Sequence, residues 1–239
     1  MSRRLAAVVP AAGRGERLGA AVPKAMHLLA GEPLLVHAVR ALQAAPSVAA
    51  VVVAAPPSQQ QEVCALLGPR VCVVPGGATR QESVARSLAV LASEVDAVLV
   101  HDAARPLTPP SLIESVASAV LGGERAVVPG LPIPDTVKQV DAAGRVVGTV
   151  DRAGLRAIQT PQGFERALLQ RAHAGARSEL TDDAGLVEQL GQSVLVVPGD
   201  DAAFKVTRPG DLARAEAFLD RFKLGPDGCW RPREAGGHG

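Results

Sequence analysis

The residues best equipped for chemistry stand near the start of the chain, where Gly13, Gly15 and Gly19 are interspersed with Arg14 and Arg17 and followed by Pro23-Lys24. Glycines lack a Cβ, so the backbone turns tightly and brings N–H groups to an anion, while arginine and lysine add fixed positive charge. The apolar run Leu5-Ala-Ala-Val-Val9 precedes them, which reads as a buried strand feeding a nucleotide-phosphate loop. Spacing excludes two familiar loops. A Walker loop needs Gly-Lys followed by Ser or Thr, whereas Lys24 sits between Pro23 and Ala25. A dinucleotide fingerprint needs Gly-x-Gly-x-x-Gly and a ribose-binding acid about 20 residues on, but here the third glycine is one place late and the next strand ends Val53-Ala-Ala-Pro-Pro57. A glycine turn without any ligand is the plain alternative for this segment alone.

Further polar clusters follow other apolar runs. Gly76-Gly77-Ala-Thr-Arg-Gln-Glu-Ser83 offers N–H groups and a hydroxyl to a base or phosphate, or is simply a loop with a helix cap. His101-Asp102-Ala-Ala-Arg105-Pro106 puts a carboxylate at a strand tip, where it meets either a Mg²⁺ accompanying a triphosphate or Arg105 as a structural ion pair. The last set is Asp151-Arg152, Thr160-Pro161-Gln162, Glu179 to Asp183 and Phe204 to Pro209, with Thr181 readable as an N-cap and Lys205 as a surface lysine.

These loops need a scaffold that gathers them. Valine-rich runs near 4–10, 48–55, 70–74, 96–101, 125–129 and 193–198 alternate with helix-period segments at 33–45, 58–67, 80–92 and 109–121. That alternation predicts a mostly parallel, Rossmann-like α/β sheet with helices on both faces and its ligand crevice outside the carboxyl ends of the strands. Helices are expected near 164–173, 182–190 and 209–222. Around 132–152 the rhythm breaks into two short β-runs flanking Asp141-Ala-Ala-Gly144, a projecting β-arm. An isolated hairpin is marginal in water, so a second copy of the chain is the expected partner and a homodimer the expected state. The domain is expected over 1–224, with 225–239, rich in Gly and Pro, a disordered tail.

Composition narrows the partners. A net charge of +1 and 2% aromatic residues among 239 offer neither a basic footprint nor stacking surfaces for nucleic acid, so a small nucleotide is favoured over a polymer. Cys64, Cys72 and Cys229 form no Cys-x-x-Cys pair, and the five histidines show no metal-ligand spacing; reduced thiols in a cytoplasm are expected. Arg3-Arg4 and the apolar run after it imitate a secretory leader, but the run is short and holds Pro10, and cleavage there would discard the glycine loop. No run of the roughly 20 apolar residues needed to span a membrane occurs.

Taken in order, Pro-Ala-Ala-Gly-x-Gly-x-Arg with Pro-Lys, Gly-Gly with a downstream Ser, His-Asp-Ala-Ala-Arg-Pro, Asp-Thr, Asp-Arg, Gln-Thr-Pro-Gln, Thr-Asp-Asp-Ala and Lys-Val-Thr-Arg-Pro closely resemble the 2-C-methyl-D-erythritol 4-phosphate cytidylyltransferases of the non-mevalonate isoprenoid pathway, from about Leu5 to Leu219. The resemblance implies that Ala11, Ala12, Gly13 and Gly15 wrap the CTP, that Gly77 and Ser83 help select cytosine, and that Arg17 and Lys24 are catalytic. It implies Asp102, with Ala103, at the nucleotide, and Mg²⁺ held mostly by the CTP phosphates with Asp102 beside it. Arg105, Thr136, Arg152, Thr160, Thr181 and Lys205 would hold the methylerythritol phosphate, Thr136 and Arg152 reaching in from the partner subunit. The chain departs from the family pattern at Ala78, often an acid, and at Ala25, frequently glutamine. Rival readings are a ribitol 5-phosphate cytidylyltransferase, a nicotinamide-dependent oxidoreductase and a non-catalytic nucleotide-binding regulator.

Overall fold

The computed structural model describes residues 4–13, 22–176 and 178–233. Strand β1 (Arg4–Pro10) leads through a short hairpin, β2 (Leu28–Leu29) and β3 (Glu32–Pro33), to helix α1 (Leu34–Ala44). Then come β4 (Val48–Ala55), α2 (Gln60–Leu67), β5 (Val71–Pro75), α3 (Arg80–Ala89), β6 (Val95–Val100), α4 (Pro110–Leu121) and β7 (Ala126–Pro132). The second half holds β8 (Val137–Val140), β9 (Val146–Val150), β10 (Arg156–Ile158), β11 (Gln162–Glu165), α5 (Arg166–Ala174), α6 (Asp183–Gln189), β12 (Leu195–Pro198), α7 (Pro209–Arg221), β13 (Phe222–Leu224) and β14 (Trp230–Pro232).

The main sheet runs β10-β7-β11-β6-β1-β4-β5, with β12 also on β7. β1 pairs parallel with both β4 and β6, and β4 pairs parallel with β5. The chain therefore winds outward from β1 to β5 and then crosses back to β6, so the order reverses at β1 and the loops there part to leave a crevice. Alternation along β1 divides the core. Leu5, Ala7 and Val9 pack with Leu35, Val39 and Leu42 of α1 and Ile113 and Val116 of α4, while Ala6 and Val8 pack with Val84 and Leu88 of α3 and Leu168 of α5. Each of the larger side chains, once buried, contributes about 1.5–3 kcal/mol. The expected α/β sheet with helices on both faces is the observed one.

Two expectations are corrected. The helix expected near 164–173 starts two places later, because residues 162–165 form β11, which inserts antiparallel between β6 and β7 in the mostly parallel sheet. Phe164 is fully buried there, and a Cβ on Gly163 would strike Val116 and Val120 of α4, so the glycine lets that helix lie directly on the strand. Nor is the tail disordered over 225–233. β13 and β14 pair antiparallel, and the Trp230 ring meets Phe218 edge-on with centroids 5.1 Å apart. Gly and Pro shape the connecting turn, while the indole anchors it. Residues 234–239 lie outside the described residues.

In the segment expected to form an arm, β8 and β9 pair with each other in a separate two-stranded sheet. Asp141 Oδ1 accepts from the N–H groups of Ala143 and Arg145, closing the turn. Val140, Val146, Val147 and Val150 are exposed along it.

Candidate active site

A cleft of about 1140 Å³ opens at the carboxyl ends of β1, β4, β5 and β6. It is larger than the roughly 300–1,000 Å³ of ordinary ligand pockets, which suits two substrates side by side. Ala11, Ala12 and Gly13 line it after β1, Pro56 to Gln59 after β4, Gly77 to Arg80 and Ser83 after β5, and Asp102, Ala103 and Ala104 after β6; Lys24 and Lys205 supply cations. Gly15 and Arg17, named from the sequence, lie outside the described residues.

The loops are fixed from within. Ala11 N donates to Ala54 O and Gly76 N to Ala55 O, tying both loops to the end of β4. A side chain at Gly76 would collide with the Ala12 Cβ, so glycine is what lets the two loops touch. The Ser83 hydroxyl accepts from Gly77 N at 3.0 Å and donates to Thr79 O at 2.9 Å, and Thr79 caps α3 by accepting from Glu82 N. At Ala78 the backbone N–H already donates to Glu82 Oε2 at 2.8 Å.

Charge is concentrated around Asp102. Its Oδ2 is 2.7 Å from Lys205 Nζ and 4.0 Å from Arg105 Nε, and its Oδ1 is 3.3 Å from Arg80 Nε. Burial alone would raise the Asp102 carboxyl, but Arg80, Lys205 and Arg105 outweigh it and hold it well below the usual carboxylate range. Arg80 continues to Asp183 Oδ2 at 2.6 Å, and Asp183 Oδ1 accepts from His173 Nε2 at 2.9 Å. Burial works against the Arg80 cation, yet Asp183 and Asp102 together raise it above its ordinary value. Burial would likewise raise Asp183, and His173 and Arg80 lower it instead. Neighbouring His101 is fully buried, which pushes its imidazole down to about 4 and leaves it neutral.

The arrangement gives the cleft a carboxylate anchored among cations, with Lys24, Ala12 and Gly13 on the same cleft. Such a site neutralises a polyanion. Sequence reasoning brought Asp102 and Lys205 to one site but passed over Arg80 and Asp183 as a pair. They stand 103 positions apart, and no spacing rule links them.

Other expected residues fall elsewhere. Arg105 turns away from the opening and donates to Ala203 O at 2.6 Å and Ile158 O at 3.3 Å. Thr160 is buried beneath the β6 tip, where its Oγ1 accepts from Asp102 N and lies 3.0 Å from His101 Nδ1. Thr181 is exposed, and the cap of α6 is Asp182, which accepts from Gly185 N. Thr136 and Arg152 are exposed at the base of the arm, Arg152 donating to Pro134 O. None of these five lines the cleft of its own chain.

The sequence profile of the 2-C-methyl-D-erythritol 4-phosphate cytidylyltransferases (IspD) matches residues 5–221. The chain belongs to this family. A relative of that name from Frankia casuarinae is 57% identical over 220 residues, covering 92% of this chain and 83% of the relative. Another, from Streptomyces coelicolor, is 54% identical over 234 residues, with 92% and 87% covered. Among solved structures, the cytidylyltransferase of Thermus thermophilus superposes with a TM-score of 0.77 at 39% identity, covering 91% of this chain and 99% of that one. The strand-tip cleft gathers residues of several of this family's motifs: Ala11, Ala12 and Gly13, Pro23-Lys24, Gly77, Asp102 and Lys205.

Proposed function

We propose that the cleft performs cytidylyl transfer from CTP to 2-C-methyl-D-erythritol 4-phosphate, giving 4-diphosphocytidyl-2-C-methyl-D-erythritol and pyrophosphate, a step in isoprenoid precursor biosynthesis. A phosphate oxygen of the sugar attacks the α-phosphorus of CTP; the new P–O bond forms as the bond to the β-phosphate oxygen breaks, and pyrophosphate leaves. Phosphate is already ionised near neutral pH, so no protein nucleophile or base is needed and positioning with charge stabilisation dominates. Lys24 and Arg17 offset the negative charge that accumulates on the α-phosphate. Ala11, Ala12, Gly13, Gly15, Gly77, Ser83 and Ala103 receive the nucleotide and Lys205 the sugar phosphate, while Arg105 and Thr160 act from behind the cleft, Arg105 by holding Ala203 O and Ile158 O and Thr160 by supporting the backbone of Asp102, and Thr181 reaches the sugar phosphate only if its loop moves on binding. Thr136 and Arg152 come from the arm of a second copy, making the active unit a homodimer. We place it in the cytoplasm, consistent with three free thiols, two of them exposed. Among the described residues no helix is long and apolar enough to cross a membrane.

A divalent ion fits this donor set only as a companion of the triphosphate. Asp102 is a single carboxylate already shared between Arg80 and Lys205, and no group of three His, Cys, Asp or Glu residues gathers among the described residues. Mg²⁺ would be held by Asp102 and mostly by the CTP phosphates, where it would draw charge toward the leaving group.

The observation that carries this reading is the convergence of Lys24, Asp102 and Lys205 with Ala11, Ala12 and Gly13 on one cleft. Pyrophosphate release measured with CTP and each polyol phosphate tests it. Release dependent on both CTP and 2-C-methyl-D-erythritol 4-phosphate is expected, release with ribitol 5-phosphate alone would select that rival, and release with neither would refute the assignment.

A further inference from the structure

The segment after β6, 101–110, is buried at every residue, and it carries Asp102 at one end. Its backbone is held on one side by the strip that bears Lys205, since Val206 N donates to Ala104 O at 2.8 Å. On the other side Trp230 Nε1 donates to Leu107 O at 2.8 Å. Leu107 and Val206 share a third apolar cluster, onto which Phe204, Phe218 and Trp230 pack. The chain has only five aromatic residues. Four of them, Phe204, Phe218, Phe222 and Trp230, stand in this one wedge, with Phe218 and Phe222 stacked at 4.5 Å between centroids. The turn of the β13–β14 hairpin is seated too: Ser111 N donates to Gly228 O at 3.3 Å. The hairpin, 222–232, begins where the family match ends at 221.

We infer that this C-terminal hairpin is a positioning element for the sugar-phosphate side of the site, with Trp230 acting through Leu107 and Val206 to set Lys205 against Asp102. The carbonyl of Leu107 is buried and its hydrogen bond comes from beyond the family-matched residues, so losing the indole leaves that acceptor unsatisfied and the cluster underfilled. The 101–108 and 203–207 strips then shift relative to each other, and Lys205 loses its register. The inference rests on the reading that Lys205 contacts the sugar phosphate.

Full-length Trp230→Ala and Trp230→Phe test it against the unaltered chain, the second keeping an aromatic ring but no N–H. Trp230→Ala should raise KM for the sugar phosphate about tenfold while KM for CTP and kcat stay within about twofold, with Trp230→Phe between. On a Lys205→Ala background the same change should add nothing to that KM, since the two act in series. A lowered melting temperature with KM unmoved, or an additive effect on the Lys205→Ala background, overturns the inference. A second readout needs no turnover: labelling of Lys205 by an amine-reactive acylating reagent, mapped by mass spectrometry, should rise several-fold in Trp230→Ala while Lys138 on the arm stays constant. Unchanged Lys205 labelling refutes the positioning role even if the assigned reaction fails, and increased labelling upholds it in that same case.

Discussion

The strand tips and the arm both carry proposed site residues, and they are built on opposite terms. At the strand tips the charges meet within the same chain: Asp102 lies against Arg80 and Lys205, and Arg80 reaches on to Asp183, which also accepts from His173 Nε2. On the arm, Thr136 and Arg152 face solvent beside four exposed valines, and its strands pair in a sheet apart from the main one. One region is finished by its own fold. The other leaves four valines and a cation at its base exposed, and it is this region that we propose serves a second copy.

The largest effect should come from breaking the finished region at its centre. Asp102→Ala leaves Arg105 and the inner end of Arg80 without a buried carboxylate, and removal of one partner from such a cluster costs about 3–5 kcal/mol. Chemical denaturation should show that loss, whereas Arg152→Ala should stay within about 0.5 kcal/mol of the unaltered chain. Equal melting of Asp102→Ala and wild type would erase the contrast between the two regions.

A pH titration of stability sharpens it next. His101 ionises near 6.5 when unfolded and near 4 when buried in the folded chain. Between those values the unfolded chain binds the extra proton, so stability falls as pH drops from about 6.5 toward 4, by on the order of 3 kcal/mol, and this contribution then levels off. Asp102 and Asp183, both held below the ordinary carboxylate value, add a further loss only under about pH 4, where the unfolded chain takes up their protons first. His101→Asn should flatten the upper window in metal-free buffer and leave the lower one. An upper window that survives the substitution would locate the titrating group elsewhere.

How much of this was legible in the sequence follows from the physics of each part. The valine runs of β1, β4, β5, β6 and β7 are local signals, and they fell where expected. β11 was not legible, because Gln162-Gly163-Phe164 has neither length nor alternation and becomes a strand only by pairing with β6, some 60 residues earlier. The hairpin at 222–232 was misread because its glycines and prolines shape the turn, while the signal that mattered was a lone tryptophan in a chain poor in aromatics. Likewise Arg105 and Thr160 belong to recognisable motifs, but only the folded chain shows that Arg105 ties down Ala203 and Ile158 and that Thr160 supports the backbone of Asp102.

On turnover, the strand-tip half should again be the more sensitive. Lys24→Ala and Arg17→Ala should each lower kcat roughly 10²-fold or more with the fold intact, as removal of a preorganised charge does in comparable sites. Initial rates at saturating CTP and sugar phosphate check it, and turnover near the wild-type value would remove these residues from the chemistry.

The smallest single effect tests the arm most directly. Arg152→Ala should raise KM for the sugar phosphate about tenfold, the usual scale for one charge-assisted contact, with KM for CTP unmoved. If the arm serves a second copy, mixing the Arg152→Ala chain with the Lys24→Ala chain should restore what neither has alone. In the mixed dimer one site combines two defects, while the other joins an intact Lys24 to an intact Arg152. Activity at low sugar phosphate should therefore rise above that of either parent after subunits are exchanged. If Arg152 instead acts on the cleft of its own chain, every site in the mixture keeps one defect and no such recovery can occur, whatever the dimer's stability.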